Sequence, residues 1–420
     1  SDVIVGARLY DNGETDEGRA FVYLGSAGGL SSSALWTAES NQVSAWFGDS
    51  VASAGDVNGD AYSDVIVGAY RFDNGQTDEG RAYAYMGSAA GLSAGPTWTA
   101  ESDQALAAFG TPVSTAGDVN GDGYSDVIVG AYLFENGQTD EGRAYAYMGS
   151  AAGLSASPAW MAESDQISAY FGISVSTAGD VNGDGYSDVI VGVLLYDGSV
   201  TDEGRACVYL GSPAGIDASA SWCVGGGQAS SWFGRSVSTA GDVNGDGYSD
   251  VLVGAELFDN EQTNEGRAYC YLGSAAGPSL TPDWIAESDQ ASAFFAISLS
   301  TAGDVNGDGY GDIIVGAVEF DGGQANEGRA FVYLGNDGSG GWTLTAQQRR
   351  TSDLAPIDLL GRSDTPLAFR IQLAFEKSLA GFTWASPATP TAHLEWQVAE
   401  LGPSLDTRPL EGGSEQTITG

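Results

Sequence analysis

A nine-residue string, Asp-Val-Asn-Gly-Asp-x-Tyr-x-Asp, begins at Asp56, Asp118, Asp180, Asp242 and Asp304, each copy 62 residues after the last. Five copies without an insertion imply that each unit is one supersecondary element stacked on its neighbours. The apolar segment that follows the string occurs a sixth time, at Asp2-Val3-Ile4-Val5-Gly6, so residue 1 falls inside a unit rather than at a natural boundary.

Within the second full unit the strands read directly. Residues 109–115 predict a first strand, and 118–126 a tight Gly/Asp loop. Val127-Ile128-Val129-Gly130-Ala131 is β-branched and apolar on both faces, which predicts a central, buried strand. A turn-rich connection from Asn136-Gly137 through Gly142 leads to a third strand at 143–148 and an outer one at 160–163. Helical periodicity is absent, and glycine supplies 62 of 420 residues. The expected fold is all-β, with four-stranded blades of a β-propeller. A linear β-solenoid is the alternative, although its coils are usually shorter than this unit.

Phe-Gly stands before the loop at Phe47-Gly48, Phe109-Gly110, Phe171-Gly172 and Phe233-Gly234. Gly-Ala stands after it at Gly68-Ala69, Gly130-Ala131, Gly254-Ala255 and Gly316-Ala317. This pattern resembles FG-GAP repeats, the blades of the integrin α-subunit propeller and of many bacterial surface and secreted proteins. The resemblance covers residues 1–346 and implies a seven-bladed ring, of which six blades are visible here, the first incomplete. It departs at Phe295-Ala296 and Gly192-Val193, and no unit has the Pro of the family name.

The acidic loop places side-chain oxygens at positions 1, 3, 5 and 9 and a main-chain carbonyl at position 7. The expected ligand sets are Asp56, Asn58, Asp60, Tyr62 and Asp64; Asp118, Asn120, Asp122, Tyr124 and Asp126; and Asp180, Asn182, Asp184, Tyr186 and Asp188. Two more follow: Asp242, Asn244, Asp246, Tyr248 and Asp250; and Asp304, Asn306, Asp308, Tyr310 and Asp312, each Tyr through its carbonyl. Hard oxygen donors on a tight turn suit Ca²⁺, whereas zinc or copper calls for His or Cys. Position 6 is Gly in four loops and Ala61 in the first. The competing reading is a set of Asn/Asp/Gly turns that need no metal. Against it, three carboxylates in each of five loops repel without a cation. A staple between the first and second strands of each blade is the expected role.

Other residues keep the same period. Glu-Gly-Arg recurs six times, from Glu17-Gly18-Arg19 to Glu327-Gly328-Arg329, and suggests an Arg paired with loop carboxylates. Trp36, Trp98, Trp160, Trp222 and Trp284 are expected to cover the outer strand or to pack between blades; a sugar-stacking shelf is the functional alternative. Cys207 and Cys223 fall on the third and outer strands of one blade, where they are placed to pair, and Cys270 is left over.

The chain carries 15 Lys+Arg against 56 Asp+Glu, a net charge of −41, and Lys377 is its one lysine. That balance excludes nucleic acid, which requires clustered cations facing the phosphates, and docking on anionic membranes. No run approaches the length of a membrane span, so no membrane insertion is expected. The only histidine, His393, lies outside the repeats, and no nucleophile elbow or phosphate loop is present. The chain is therefore not expected to be an enzyme.

After residue 335 the period fails. Alternation at Phe369, Ile371, Leu373 and Phe375, and at Leu394, Trp396 and Val398, predicts two strands. Residues 347–420 are read as a β-sandwich-like segment, either part of a fibronectin- or immunoglobulin-like domain or a degenerate blade. The whole reads as a secreted or cell-surface adhesion or scaffold module with a protein or glycan ligand. A fibre subunit assembled by homotypic contacts and an appendage of a secreted polysaccharide- or lipid-degrading enzyme are the alternatives.

Overall fold

Period-2 patterning and β-branched runs become strands in every unit. In the third sheet Phe109–Gly117, Asp126–Ala131, Arg143–Tyr147 and Trp160–Glu163 pair antiparallel in that order. Three further four-stranded sheets repeat it, running from Ser50 to Glu101, from Phe171 to Gly225 and from Phe233 to Glu287. The first sheet has three strands, Val3–Ala7, Arg19–Tyr23 and Trp36–Glu39. The computed structural model describes residues 2–336 and, beyond them, the strand segments 343–349, 370–376, 391–392 and 416–417. All regular structure among the described residues is β, as expected.

Among the described residues the sixth sheet contains three strands, Phe295–Gly303, Asp312–Ala317 and Arg329–Tyr333. The Trp that opens the outer strand of the other sheets does not recur in register there, and Thr343–Arg349 pairs with Arg370–Glu376. The latter strand matches the first predicted tail strand; the second, at 394–398, lies outside the described residues. Residues 1–376 form one compact unit and 377–420 another, which includes the short pair Thr391–Ala392 with Gln416–Thr417.

The core lies between sheets. One cluster joins Ile66 and Ala84 of the second sheet to Phe109, Val113, Val127 and Tyr145 of the third, all buried. First strands of successive sheets pack side by side. The glycines of the two markers explain how closely: a Cβ on Gly68 would sit 1.6 Å from the Gly110 carbonyl oxygen of the next sheet. In the same way, a Cβ on Gly80, from Glu-Gly-Arg, would sit 2.1 Å from the Phe109 oxygen. Both markers are therefore contacts between blades.

The periodic tryptophans also bridge blades. Trp36, Trp98, Trp160 and Trp222 donate their indole N–H to the carbonyls of Ser93, Ser155, Asp217 and Ser279 at 2.8–2.9 Å. Each ring meets a tyrosine of the following sheet edge to face, as Trp98 does Tyr147 at 4.8 Å. The inter-blade expectation holds, and these indoles do not form an open shelf. No helix among the described residues is long and apolar enough to cross a membrane.

Candidate metal centres

Each acidic loop is closed by hydrogen bonds to its own carboxylates. Asp118 accepts from the N–H groups of Gly121, Asp122 and Gly123 at 2.7–3.1 Å, and Asp122 accepts from Tyr124 N–H and the Asn120 amide. The other four loops repeat this pattern. Position 6 is left-handed, with φ of 89° at Gly123 and 70° at Ala61, so the first loop places an alanine where glycine relieves strain.

The position-9 aspartates stand apart. Asp64, Asp126, Asp188, Asp250 and Asp312 are fully buried. In the third sheet Asp126 accepts from Val119 N–H at 3.0 Å and from Gly149 N–H at 2.8 Å, tying the loop to the end of the third strand. Burial pushes Asp126 up to about 6, against the opposing N–H groups of Gly149 and Val119, with Asp122 and Asp118 adding like charge. The same causes take Asp188 and Asp250 up to about 7. Asp304, at position 1, is instead held low, first by the Gly309 N–H.

Successive loops are also joined. Ser125 N–H donates to the Asp56 carbonyl of the preceding loop at 2.9 Å, and Ser187, Ser249 and Gly311 repeat the contact with Asp118, Asp180 and Asp242. The rings of Tyr124, Tyr186, Tyr248 and Tyr310 lie against Gly59, Gly121, Gly183 and Gly245 of the loop before. The predicted ligand residues therefore form a continuous row from the second sheet to the sixth.

The oxygen-only donor set fits calcium, and the buried, like-charged position-9 carboxylates are groups that a cation would relieve. The three carboxylates of a single loop are nevertheless not gathered to metal-holding spacing. Two other groups of three are: Glu79, Glu101 and Asp103, and Glu265, Glu287 and Asp289, whose nearest oxygens all lie within 4.8 Å of one another. Sequence reasoning passed over these residues. The available signal was a Glu in Glu-Gly-Arg followed 22 residues later by Glu-Ser-Asp.

The repeated arginines do not pair with loop aspartates. Arg81, Arg143 and Arg267 form ion pairs with Glu101, Glu163 and Glu287. These partners lie directly opposite on the adjoining outer strand, a register that alternation along a single strand does not reveal. Each guanidinium also stacks on an aromatic ring, Arg81 on Phe72 at 3.9 Å.

The fourth sheet breaks the symmetry. Cys207 and Cys223 face each other and are disulfide-bonded, while Cys270 is a buried free thiol. Cys207 stands where other sheets have Phe21, Tyr83, Tyr145, Tyr269 and Phe331, and a cleft of about 880 Å³ opens there. Arg143, Glu163, Tyr196 and Arg205 line it, and Arg205 faces Gly225 where the neighbouring arginines face glutamate.

The FG-GAP repeat family matches residues 47–85, 109–147, 171–209, 233–271 and 295–333, in each case from the Phe of Phe-Gly or Phe-Ala to the end of the third strand. Integrin alpha-5 of Xenopus laevis is 32% identical over 178 residues, covering 40% of this chain and 17% of the relative. Integrin alpha-V of Gallus gallus is 31% identical over 214 residues, covering 49% and 20%. Human integrin alpha-IIb is 34% identical over 161 residues, covering 36% and 15%. The chain thus spans a fifth or less of the length of these relatives. Matched over five of its six sheets, the chain carries five FG-GAP repeats and is similar to integrin α subunits.

Proposed function

We propose that the chain is a non-enzymatic, calcium-stabilised adhesion or scaffold module that works outside the cell and presents a rigid array of blades to a protein or glycan. The observation that carries this reading is the joined row of five oxygen-only loops, each with a buried aspartate beside like charges. Calcium bound along that row staples strands within a blade and blades to each other. The similarity to integrin α subunits supports adhesion, and the cleft beside Cys207 is the asymmetric feature on which a ligand would be selected.

Melting in calcium and in chelator, across pH, tests the staple. A carboxyl whose folded pKa is raised favours the folded state at low pH and loses that contribution as pH rises through the folded value. In chelator, stability is expected to fall as pH rises from about 4 through the value of about 7 at Asp188 and Asp250. Calcium should abolish that fall and raise the melting temperature at pH 7. Equal melting curves with and without chelator, together with no calcium by elemental analysis, would sink the reading.

Homotypic assembly is a second reading, favoured by apolar residues exposed on the end sheets: Val3, Val5, Val318 and Val332. Sedimentation velocity separates the two: concentration-dependent growth into long species supports assembly, and a single monomeric boundary opposes it.

A further inference from the structure

The Glu-Gly-Arg glutamates Glu17, Glu79, Glu141, Glu203 and Glu265 are at most 4% exposed. A buried carboxylate requires partners for both oxygens. In the fourth sheet Glu203 has them. Its Oε1 accepts from Ser199 N–H, and its Oε2 accepts from the Ser199 hydroxyl at 3.0 Å and Gly227 N–H at 2.8 Å. There, Gly225 and Gly227 occupy the positions of Glu101 and Asp103 in the second sheet.

Glu79 is in the opposite situation. Its Oε1 accepts from Asn74 N–H, but its Oε2 is buried without a hydrogen-bond partner. In place of the glycine that serves Glu203, two further carboxylates, Glu101 and Asp103, approach to within 4.8 Å. An acceptor facing acceptors is satisfied by a cation. Arg81 supplies one positive charge, engaged by Glu101 and by the Phe72 ring. With the three carboxylates ionised, the group keeps two negative charges in excess, the complement of a divalent ion. The fifth sheet brings Glu265, Glu287 and Asp289 together beside Arg267 in the same way, but leaves no buried Glu265 oxygen without a partner. The third sheet has the same residue types but does not assemble them: Asp103 and Asp289 are left-handed, with φ of 57° and 54°, whereas Asp165 is not.

We propose that Glu79, Glu101 and Asp103 form a second class of divalent-cation site, whose all-oxygen donors suit a hard ion such as Ca²⁺. The site lies at the junction of third and outer strands, separate from the acidic loops, and fastens the outer strand to the Glu-Gly-Arg turn.

Bound Ca²⁺ per chain is measured by equilibrium dialysis of the full chain at about 5 mM calcium, above the ~10⁻⁴–10⁻³ M range of extracellular calcium modules. The comparison is with Asp103→Gly, which places at the site the glycine that serves Glu203 in the fourth sheet. The expected result is one fewer Ca²⁺ per chain, with an unchanged near-UV circular dichroism spectrum. Equal counts overturn the proposal. If the glycine variant unfolds, Asp103→Asn replaces it, since Asn41 already holds the same position in the first sheet with φ of 56°. Calcium affinity at one site should then fall at least tenfold, and an unchanged isotherm overturns the proposal equally. The loops are untouched in every protein, so failure of the loop reading lowers all counts alike and leaves the difference intact.

Discussion

The first and sixth sheets contain the same pentapeptide, Arg-Ala-Phe-Val-Tyr, at Arg19–Tyr23 and Arg329–Tyr333. Both copies are third strands in the same antiparallel register, paired with Val3–Ala7 and Asp312–Ala317. Their surroundings differ. Ala20 is fully buried and Val22 is 8% exposed, whereas Ala330 is exposed and Val332 is 50% exposed. Ala20 shares a core with Phe47 and Tyr83 of the following sheet. Secondary structure is therefore set by the pentapeptide and its hairpin partner, and burial by whichever sheet comes next. The stability of this molecule resides largely between blades, where the apolar area is removed from water.

The sharpest way to break that comparison is at a close approach between sheets. Gly68→Ala drives a Cβ into the Gly110 carbonyl, a backbone atom that cannot rotate away. A loss of about 3 kcal/mol or more is expected in urea unfolding, the range of severe core disruption. Gly316→Ala, the equivalent position in the sixth sheet, meets the rotatable Ser298 hydroxyl and only ordinary contact with the Ser298 main chain, and should lose less than about 1 kcal/mol. Equal losses would show that the contact between sheets is not the determinant.

Overpacking the shared pentapeptide sharpens the contrast next. Ala20→Leu is expected to destabilise by about 1–3 kcal/mol, and Ala330→Leu by no more than about 0.5 kcal/mol. The measurement is the midpoint of chemical unfolding at constant slope. The smallest effect concerns one bridging hydrogen bond: Trp98→Phe removes the donor to Ser155 while leaving an aromatic ring against Tyr147. About 1 kcal/mol is expected. An unchanged midpoint would assign the tryptophan's contribution to packing alone.

Much of this was legible in the chain itself. The strands at 126–131, 143–147 and 160–163 follow from β-branching and alternation, and their repetition every 62 residues made one unit the template for the rest. The disulfide was foreseeable because Cys207 and Cys223 sit on adjoining strands, where register brings them opposite. In the sixth sheet the first three strands follow the repeat, and the loss of the period after residue 335 was legible too, but the pairing of Thr343–Arg349 with Arg370–Glu376 was not. The Arg81 partner was misplaced for a related reason. Electrostatics says that an arginine seeks a carboxylate, but the choice between a loop aspartate and Glu101 is made by strand register.

The 62-residue period by itself determined an all-β chain of stacked, equivalent units, because repeated local patterning specifies the same hairpins each time. It also placed the acids of the five loops. Tertiary structure alone decided which carboxylates face one another. Glu79 and Asp103 each lie two residues beyond the opposed pair Arg81 and Glu101, and the three carboxylates meet only because the third and outer strands pair in that register. Contact between side chains depends on register and on backbone handedness at single residues such as Asp103, and neither is written in the pattern of residue types.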